Sequence, residues 1–221
     1  MSLCCIAHEY GLLHGINSGI EKQKCPKHDA LFIDNEFTKP YNHEKHVDVI
    51  KRHRPKYATV RDIMPPEMCG RLGVQYYPPE QVIDWAWELK EYANEVIIIP
   101  KTLEYLGQVP EEFMIGYPMP SGYIQGEELL PPEAYNGKRL HLLGGSWARQ
   151  LSYLYFFGDD VVSMDGNYIA KIGMLRQFVD PAGQVHSLNE VVKFQLNNAL
   201  HIAFSISCSS IQTALNALLM S

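Results

Sequence analysis

Three aspartates of the sequence each follow a short apolar run. They are Asp34 after residues 30–33, Asp62 after residues 57–61, and Asp165 after residues 161–164. Such runs predict buried strands, and carboxylates gathered at strand ends shift one another's pKa, so that one stays ionised while another keeps a proton to donate. That pair suits cleavage at an anomeric carbon through an oxocarbenium-like transition state. Taken singly, each aspartate also fits a helix N-cap or the start of a turn.

The elements that would position these aspartates follow from the spacing of the apolar runs. Strands are predicted at residues 30–33, 57–61, 95–99, 112–115, 140–143 and 161–164, with a seventh near Cys4–Glu9. Helices are predicted at His43–His53, Pro79–Ala93, Ser146–Phe157 and Leu188–Leu200, the last continuing into an apolar stretch. This alternation predicts an α/β fold of βα units with right-handed crossovers.

Acidic and glycine residues follow several different strands, which favours a small (β/α) TIM-like barrel, incomplete or irregular, over an open doubly wound sheet. The sequence contains no G-x-G-x-x-G pattern and no Walker loop. Either would favour the open sheet, with a nucleotide bound at a single switch point.

Composition narrows the class of protein. The 221 residues carry a formal charge of −6 and are 46% hydrophobic, which excludes wholesale disorder and coating of nucleic acid by bulk charge. Five cysteines without a C-x-x-C pair fit neither a disulfide scaffold nor a zinc ribbon, so we expect a reducing cytoplasm. We predict one barrel-like domain over residues 1–221, with a helical segment over residues 186–221 packed on it.

The C-terminal stretch of residues 199–220 has no formal charge and is long enough to span a bilayer. It contains His201, Gln212, Asn216 and several serines, whose polar groups would need partners in lipid. A buried or partner-covered helix is therefore favoured over a membrane span. The N-terminus has no signal-peptide pattern.

Other residues offer binding or metal chemistry. The Gly144-Gly145-Ser146 turn presents backbone N–H groups to an anion or a base edge, or is simply a tight turn. The metal alternative, a metal-dependent hydrolase, would combine His43 and His46 with further side chains, namely Asp34, Asp62 and His141. Because His43 and His46 fall on a polar helix face without an H-x-H or H-E-x-x-H pattern, we predict no metal.

One stretch concentrates positive charge. We call Lys45, Lys51, Arg52, Arg54 and Lys56 the basic cluster. The cluster is either a solvated helix surface or a contact to a nucleic-acid backbone. The aromatic residues Tyr76, Tyr77, Trp85 and Trp87 are expected to serve packing.

Four segments together resemble a known family. Val161–Asn167, preceded by His141–Ser146, resembles the signature of the tRNA-guanine transglycosylase superfamily. Leu31–Asn35 and Pro55–Asp62 are similar to its phage and genomic-island branch, which inserts 7-deazaguanines into DNA. The resemblance runs from about Asp29 to Gly173, with the motifs in the family's order.

The resemblance implies a barrel and a base-exchange reaction. Asp165 would attack C1′ and displace guanine, forming a covalent glycosyl-enzyme intermediate, while Asp34 acts as general acid and base and Asp62 hydrogen-bonds the base edge. The substrate pocket would be completed by Asn35, Gly116, Gly144, Gly145, Ser146 and Asn167. The substrates would be DNA with a locally unpaired or flipped base and a free 7-deazaguanine.

The chain lacks the cysteine-rich zinc site of the tRNA enzymes, so no cofactor is expected. It is also shorter than those enzymes, from which we expect either a partner subunit or homo-oligomer, or a simplified DNA site. The expected location is cytoplasmic, meaning the host cytoplasm for a phage-encoded protein. Two alternatives stay open: a nucleoside or DNA N-glycosidase that ends with water, and a non-catalytic barrel that binds nucleic acid or a partner.

Overall fold

A computed structural model describes residues 3–12, 15–18, 30–35, 39–119, 130–188 and 199–220. These residues fall into two compact units. Among the described residues, unit 1 comprises residues 3–12, 144–158, 164–188 and 199–220, and unit 2 comprises residues 15–18, 30–35, 39–119, 130–143 and 159–163.

The strands are β1 (Gly15–Asn17), β2 (Phe32–Asp34), β3 (Tyr57–Thr59), β4 (Glu95–Ile98), β5 (Met114–Pro118), β6 (Leu140–Leu143), β7 (Val161–Met164), β8 (Gln177–Val179) and β9 (Val185–Ser187). The helices are α1 (Leu3–Glu9), α2 (His43–His53), α3 (Pro66–Leu72), α4 (Pro79–Lys90), α5 (Leu103–Gln108), α6 (Trp147–Phe157), α7 (Tyr168–Met174) and α8 (Ala199–Leu219). Short 3₁₀ turns occupy Pro132–Tyr135 and Gly158–Asp160.

Unit 2 is built on a parallel sheet whose seven strands, β1 to β7, lie in chain order. Each strand therefore pairs with the next one along the chain, as in a barrel, and the order never reverses as it does in a doubly wound sheet. The sheet curls into a half-barrel, which confirms the prediction of an α/β fold with an incomplete (β/α) barrel. We call the side on which these strands end the carboxyl edge, and the side on which they begin the amino edge.

The helices of unit 2 begin and end at sequence signals. Asn42 caps α2 by accepting a hydrogen bond from the Lys45 N–H at 2.9 Å, and Pro79 opens α4 where a missing N–H costs nothing. Arg54 closes α2 in the left-handed region, with φ of 44°. The apolar faces of α2 and α4 bury Val47, Ile50, Val82 and Leu89.

The N-terminal prediction is wrong. Cys4–Glu9 belongs to helix α1, and the additional strand is β1. A short apolar run has no period that separates a strand from a buried helix turn. In unit 1 the α1 residues Ile6 and Ala7 pack against Phe204 and Cys208 of α8.

Unit 1 joins α1, α6, α7 and α8 to the antiparallel hairpin of β8 and β9. Its core contains Trp147, Ile172, Val179 and Ile211. Residues 186–187 of the predicted helical segment belong to β9, and most of the predicted Leu188–Leu200 helix lies outside the described residues.

Helix α8 is long and apolar enough to cross a membrane, by length and composition alone. It packs against α1, α7 and β8 through a buried stripe that includes Ala203, Ser207 and Ile211. Ser207 Oγ donates to the Ala203 carbonyl at 2.9 Å and accepts from the Val179 N–H at 3.2 Å. Its hydroxyl is thus satisfied within the unit, as the packed-helix prediction requires.

Candidate functional site

Asp34, the last residue of β2, belongs to a hydrogen-bond network with β3. Thr59 Oγ1 donates to Asp34 Oδ1 at 2.8 Å, and it accepts from the backbone N–H and the side-chain amide of Asn35, each at 3.0 Å. Asn35 Nδ2 also donates to the Val60 carbonyl at 2.6 Å. Because a carbonyl can only accept, this contact determines which way the Asn35 amide is turned. The network holds Asp34 half-buried at the carboxyl edge.

His46 of α2 is buried against the same network. Its Nδ1 lies 2.8 Å from Ser18 Oγ, and its Nε2 lies 2.7 Å from the Thr59 carbonyl oxygen. The carbonyl requires a donor, so Nε2 carries the proton and Nδ1 accepts from the Ser18 hydroxyl. Burial lowers the pKa of His46 to about 4, and the ring is neutral at pH 7. Placing His46 on a polar helix face was therefore wrong.

The histidines of the metal alternative are occupied by protein groups. His141 is buried, with Nδ1 2.8 Å from Ser163 Oγ, and His43 Nε2 lies 2.7 Å from Glu88 Oε2. Across the described ranges, no group of three or more His, Cys, Asp or Glu side chains could hold a metal ion. Nothing in this part of the chain supports the metal-dependent hydrolase.

Asp62 is held in a buried ion pair. Beyond β3 the chain continues beside β4, with the Ile63 N–H bonded to the Ile99 carbonyl and the Lys101 N–H bonded to the Ile63 carbonyl, each at 3.0 Å. This pairing places Asp62 beside Lys101, whose Nζ lies 2.9 Å from Asp62 Oδ2. Both side chains are about 95% buried.

Arg61 precedes Asp62 and is only 1% exposed. Its guanidinium lies 5.8 Å from the centre of the Tyr41 ring. Among the described residues, neither Nε nor Nη1 of Arg61 has a hydrogen-bond partner. Arg61 thus brings a buried positive charge to the carboxyl edge.

An aromatic group lies near the start of α2. The ring of Trp85 stacks on His43 at 4.6 Å and packs against Tyr41 and Tyr77 at 5.3 and 5.0 Å between centroids. These contacts agree with a packing role for Tyr77 and Trp85. Burial raises the pKa of Tyr41, which therefore stays a neutral phenol.

Asp165 follows β7 and lies in unit 1 with the turn after β6. Its Oδ1 accepts from the Gly144 N–H at 3.0 Å, and Gln150 Nε2 donates to the carbonyl oxygens of Gly144 and Asp165. Gly144 and Gly145 have φ of 65° and 82°, a region that L side chains rarely adopt. The two glycines thus allow the turn that brings a backbone N–H to the partly exposed Asp165 carboxylate.

The neighbours of Asp165 have local structural roles. Ser146 is the N-cap of α6 and accepts from the Arg149 N–H, while Asn167 is exposed at the start of α7. The structure therefore brings Asp165 together with Gly144, Gly145 and Ser146, and their substrate contacts stay a prediction.

Gly116 lies inside β5 and is buried. A Cβ there would come within 2.5 Å of Ile99 and 2.9 Å of Leu143. The space that a Cβ of Gly116 would occupy is therefore filled by the core side chains of Ile99 and Leu143. Its role in a substrate pocket stays a prediction.

All members of the basic cluster are exposed, but they do not share one edge of the sheet. Lys45 lies in the first turn of α2, next to the carboxyl edge. The other four lie at the end of α2 or just before β3, at the amino edge. Four of the five cluster residues therefore lie away from Asp34 and Asp62. A nucleic acid bound by these four residues would lie along the amino edge.

Sequence reasoning missed Arg61, Lys101 and Thr59 as site residues and misjudged His46. A signal existed for the two cations, since Arg61 and Lys101 each end a strongly apolar run, as the aspartates do. Nothing local indicated that Lys101 would reach Asp62.

The chain belongs to DUF6610, a family of unknown function, whose family profile matches residues 7–205. No curated protein matches it in sequence. Its structure is similar to that of mandelate oxidase with 3,3-difluoro-2-hydroxy-3-phenylpropionic acid, at 11% identity and a TM-score of 0.57, over 98% of this chain and 68% of that chain. Mandelate oxidase with (S)-2-phenylpropionate gives the same identity and TM-score over 97% and 67%. At this identity the likeness concerns the fold, which this chain shares with an enzyme.

Proposed function

We propose that this member of DUF6610 is a base-exchange glycosyltransferase that replaces guanine in DNA by a 7-deazaguanine. One observation carries the proposal: Asp34, Asp62 and Asp165 each lie at or just beyond the end of a strand in the same seven-stranded sheet. Strand ends are where barrel enzymes carry their chemistry. The resemblance of the motifs to transglycosylases supports the reaction type.

The reaction would proceed in two displacements at C1′. The Asp165 carboxylate attacks C1′, the bond from C1′ to N9 of guanine breaks, and Asp34 gives a proton to the departing base. The incoming 7-deazaguanine then loses a proton to Asp34 and attacks C1′, which releases Asp165. Two inversions leave the configuration of the sugar unchanged.

The surroundings of each aspartate fit these roles. The Gly144 N–H orients Asp165, and the Thr59 hydroxyl orients Asp34. Lys101 occupies Oδ2 of Asp62, so the predicted base contact would use Oδ1.

The proposed partners are a locally unpaired or flipped DNA base and a free 7-deazaguanine, in the cytoplasm. Most of the basic cluster lies at the amino edge. A partner subunit or second copy would therefore supply much of the DNA-binding surface.

Incubation with DNA and 7-cyano-7-deazaguanine, followed by nuclease digestion and mass analysis of the nucleosides, tests the proposal. We expect the deaza-nucleoside to form and guanine to be released in equal amounts. Asp165→Asn should lower the rate by on the order of 10³-fold or more, because its amide oxygen still accepts from Gly144 but cannot act as the nucleophile. Asp159→Asn, at an exposed position, is the matched control and should retain activity.

Other outcomes would replace the proposal. Release of guanine without incorporation indicates an N-glycosidase that ends with water. Full activity of Asp165→Asn rules out the assigned nucleophile. No release with any base, together with DNA binding that Asp165→Asn leaves intact, indicates a non-catalytic barrel.

A further inference from the structure

Among the described residues, the buried charged side chains are concentrated at one place. In the part of the chain that the structure describes, the buried Asp, Glu, Lys and Arg side chains are Arg61, Asp62 and Lys101, all at the carboxyl edge. Asp62 pairs with Lys101, and among the described residues no second buried carboxylate is present to balance the charge of Arg61. Taking a guanidinium out of water without a partner costs several kcal/mol, so this arrangement calls for a compensating group.

Neither Tyr41 nor Cys69, which both interact with the Arg61 charge, supplies a negative charge. Tyr41 lies over the guanidinium, and burial raises the pKa of its hydroxyl. Burial also raises the pKa of the Cys69 thiol, whose charge state senses Arg61 and Asp62. Both groups are neutral at pH 7 and cannot balance a cation.

An unused acceptor lies at the same edge. Asn35 is 5% exposed, and its Oδ1 has no partner among the described residues. Its Nδ2 is committed to Thr59 and Val60, so the amide cannot turn to satisfy Oδ1 from within the network. Val60 directly precedes Arg61, which puts the unused acceptor and the two unused donors on adjacent strand ends.

We propose that the carboxyl edge of β2–β4 binds a small oxyanionic ligand, with Arg61 as its charge partner and Asn35 as the acceptor of a ligand hydroxyl or amino hydrogen. A carboxylate or a phosphate group meets the first requirement, since both accept charge-assisted hydrogen bonds from a guanidinium. A hydroxyl close to that group meets the second. The site adjoins Asp34 and shares Asn35 with the substrate pocket of the proposed base exchange. It uses neither Asp165 nor a glycosidic bond, so the two proposals can fail separately.

Calorimetric titration of the full chain with three probes tests the site. Inorganic phosphate provides the anion alone, ribose 5-phosphate provides phosphate with nearby hydroxyls, and glycolate provides carboxylate with one hydroxyl; neutral ribose is the blank. We expect an anion with a hydroxyl to bind more tightly than inorganic phosphate. The tighter of ribose 5-phosphate and glycolate identifies the anion class.

Substitutions assign the binding to Arg61. Arg61→Met should weaken binding by at least about tenfold, the loss expected for one charge-assisted hydrogen bond. Arg61→Lys keeps the positive charge and should retain part of the binding affinity that Arg61→Met loses. Arg139→Met removes a cation that pairs with Glu95 at the amino edge and should bind as wild type. Asp165→Asn should also bind as wild type, which separates this site from the base-exchange proposal.

Thermal unfolding gives a second, independent readout. If the guanidinium is unpaired until a ligand binds, Arg61→Met should unfold at or above the wild-type Tm while losing the Tm increase that the best probe causes. A fall in Tm of more than about 5 °C would mean that Arg61 is paired within the protein, and would overturn the proposal. Equal binding by wild type and Arg61→Met, or no probe binding tighter than about 10 mM, would overturn it as well.

Discussion

The two edges of the sheet carry cations under opposite conditions. At the amino edge, Lys51 is exposed and lies over the Tyr92 ring at 4.7 Å, where water and the ring both stabilise its charge. At the carboxyl edge, Arg61 and Lys101 are almost fully buried. Lys101 pairs with the Asp62 carboxylate, whereas Arg61 has no carboxylate partner among the residues that the structure describes.

The difference lies in hydration, because an exposed charge keeps its water shell and a buried charge loses it. An exposed lysine stays hydrated, so replacing it changes little. A buried charge loses its hydration, and removing its partner leaves that loss uncompensated. The carboxyl edge is therefore where substitutions should have large effects and where ligand binding has the most to contribute.

The largest effect is expected for Lys101→Met. It leaves the Asp62 carboxylate buried without its cation and should lower the free energy of unfolding by about 3–5 kcal/mol. Urea unfolding at pH 7 measures the loss. The double variant Lys101→Met with Asp62→Leu removes both charges and should recover most of the stability. A double variant no more stable than the single one would show that the ion pair is not the cause.

The next effect is a loss of stability in acid that comes from His46. Its pKa is about 4 in the folded protein and about 6.5 when unfolded, so only the unfolded chain takes up a proton between these values. The contribution is present above pH 6.5 and is lost as the pH falls to 4, a change of about 3 kcal/mol. Urea unfolding across this range measures it.

His46→Gln is the control for that titration. It keeps a donor for the Thr59 carbonyl but cannot titrate, so the slope of stability against pH in this window should flatten. A slope identical to that of wild type would contradict the assignment to His46.

A smaller effect is expected for Thr59→Val, which replaces the central hydroxyl of the Asp34 network by a methyl group. The N–H of Asn35 loses its acceptor, and the free energy of unfolding should fall by about 1–3 kcal/mol. Thr59→Ser retains the hydroxyl and should be less destabilised at neutral pH. Chemical denaturation of both variants measures the two losses in the free energy of unfolding. A larger loss for Thr59→Val indicates that the hydroxyl matters, and a larger loss for Thr59→Ser indicates that the methyl group matters.

The smallest effect is expected at the amino edge. Lys51→Ala removes an exposed cation from the Tyr92 ring and should change the free energy of unfolding by no more than about 0.5 kcal/mol. A loss comparable to that of Lys101→Met would break the contrast between the two edges.

The strand pattern predicted the fold well because it depends on local information. The six predicted runs each became a strand, and α2 has the predicted bounds, since Asn42 and the apolar positions of this helix define it locally. The hairpin of β8 and β9 was missed, although Asp180-Pro181-Ala182-Gly183 is a turn signal. Strand β1 was missed because three residues are too few to show a period.

The candidate site was less predictable because its contacts join distant parts of the chain. Asp34 and Asp62 could be placed at strand ends, but the partner of Asp62 is 39 positions away, since Asp62 pairs with Lys101. Burial of His46 likewise depends on Ser18 and Thr59, which belong to other elements. Such pairings depend on register between elements, which the residue types alone do not encode.

The chain order of β1 to β7 also bears on how the protein assembles. Every strand from β2 onward finds its pairing partner in the segment made just before it, so no strand must wait for a distant one. Contacts of short sequence separation close small loops, which shortens the search for the native state. The sheet can accordingly form in the direction of synthesis, because each new βα unit pairs its strand with the free edge of the preceding strand.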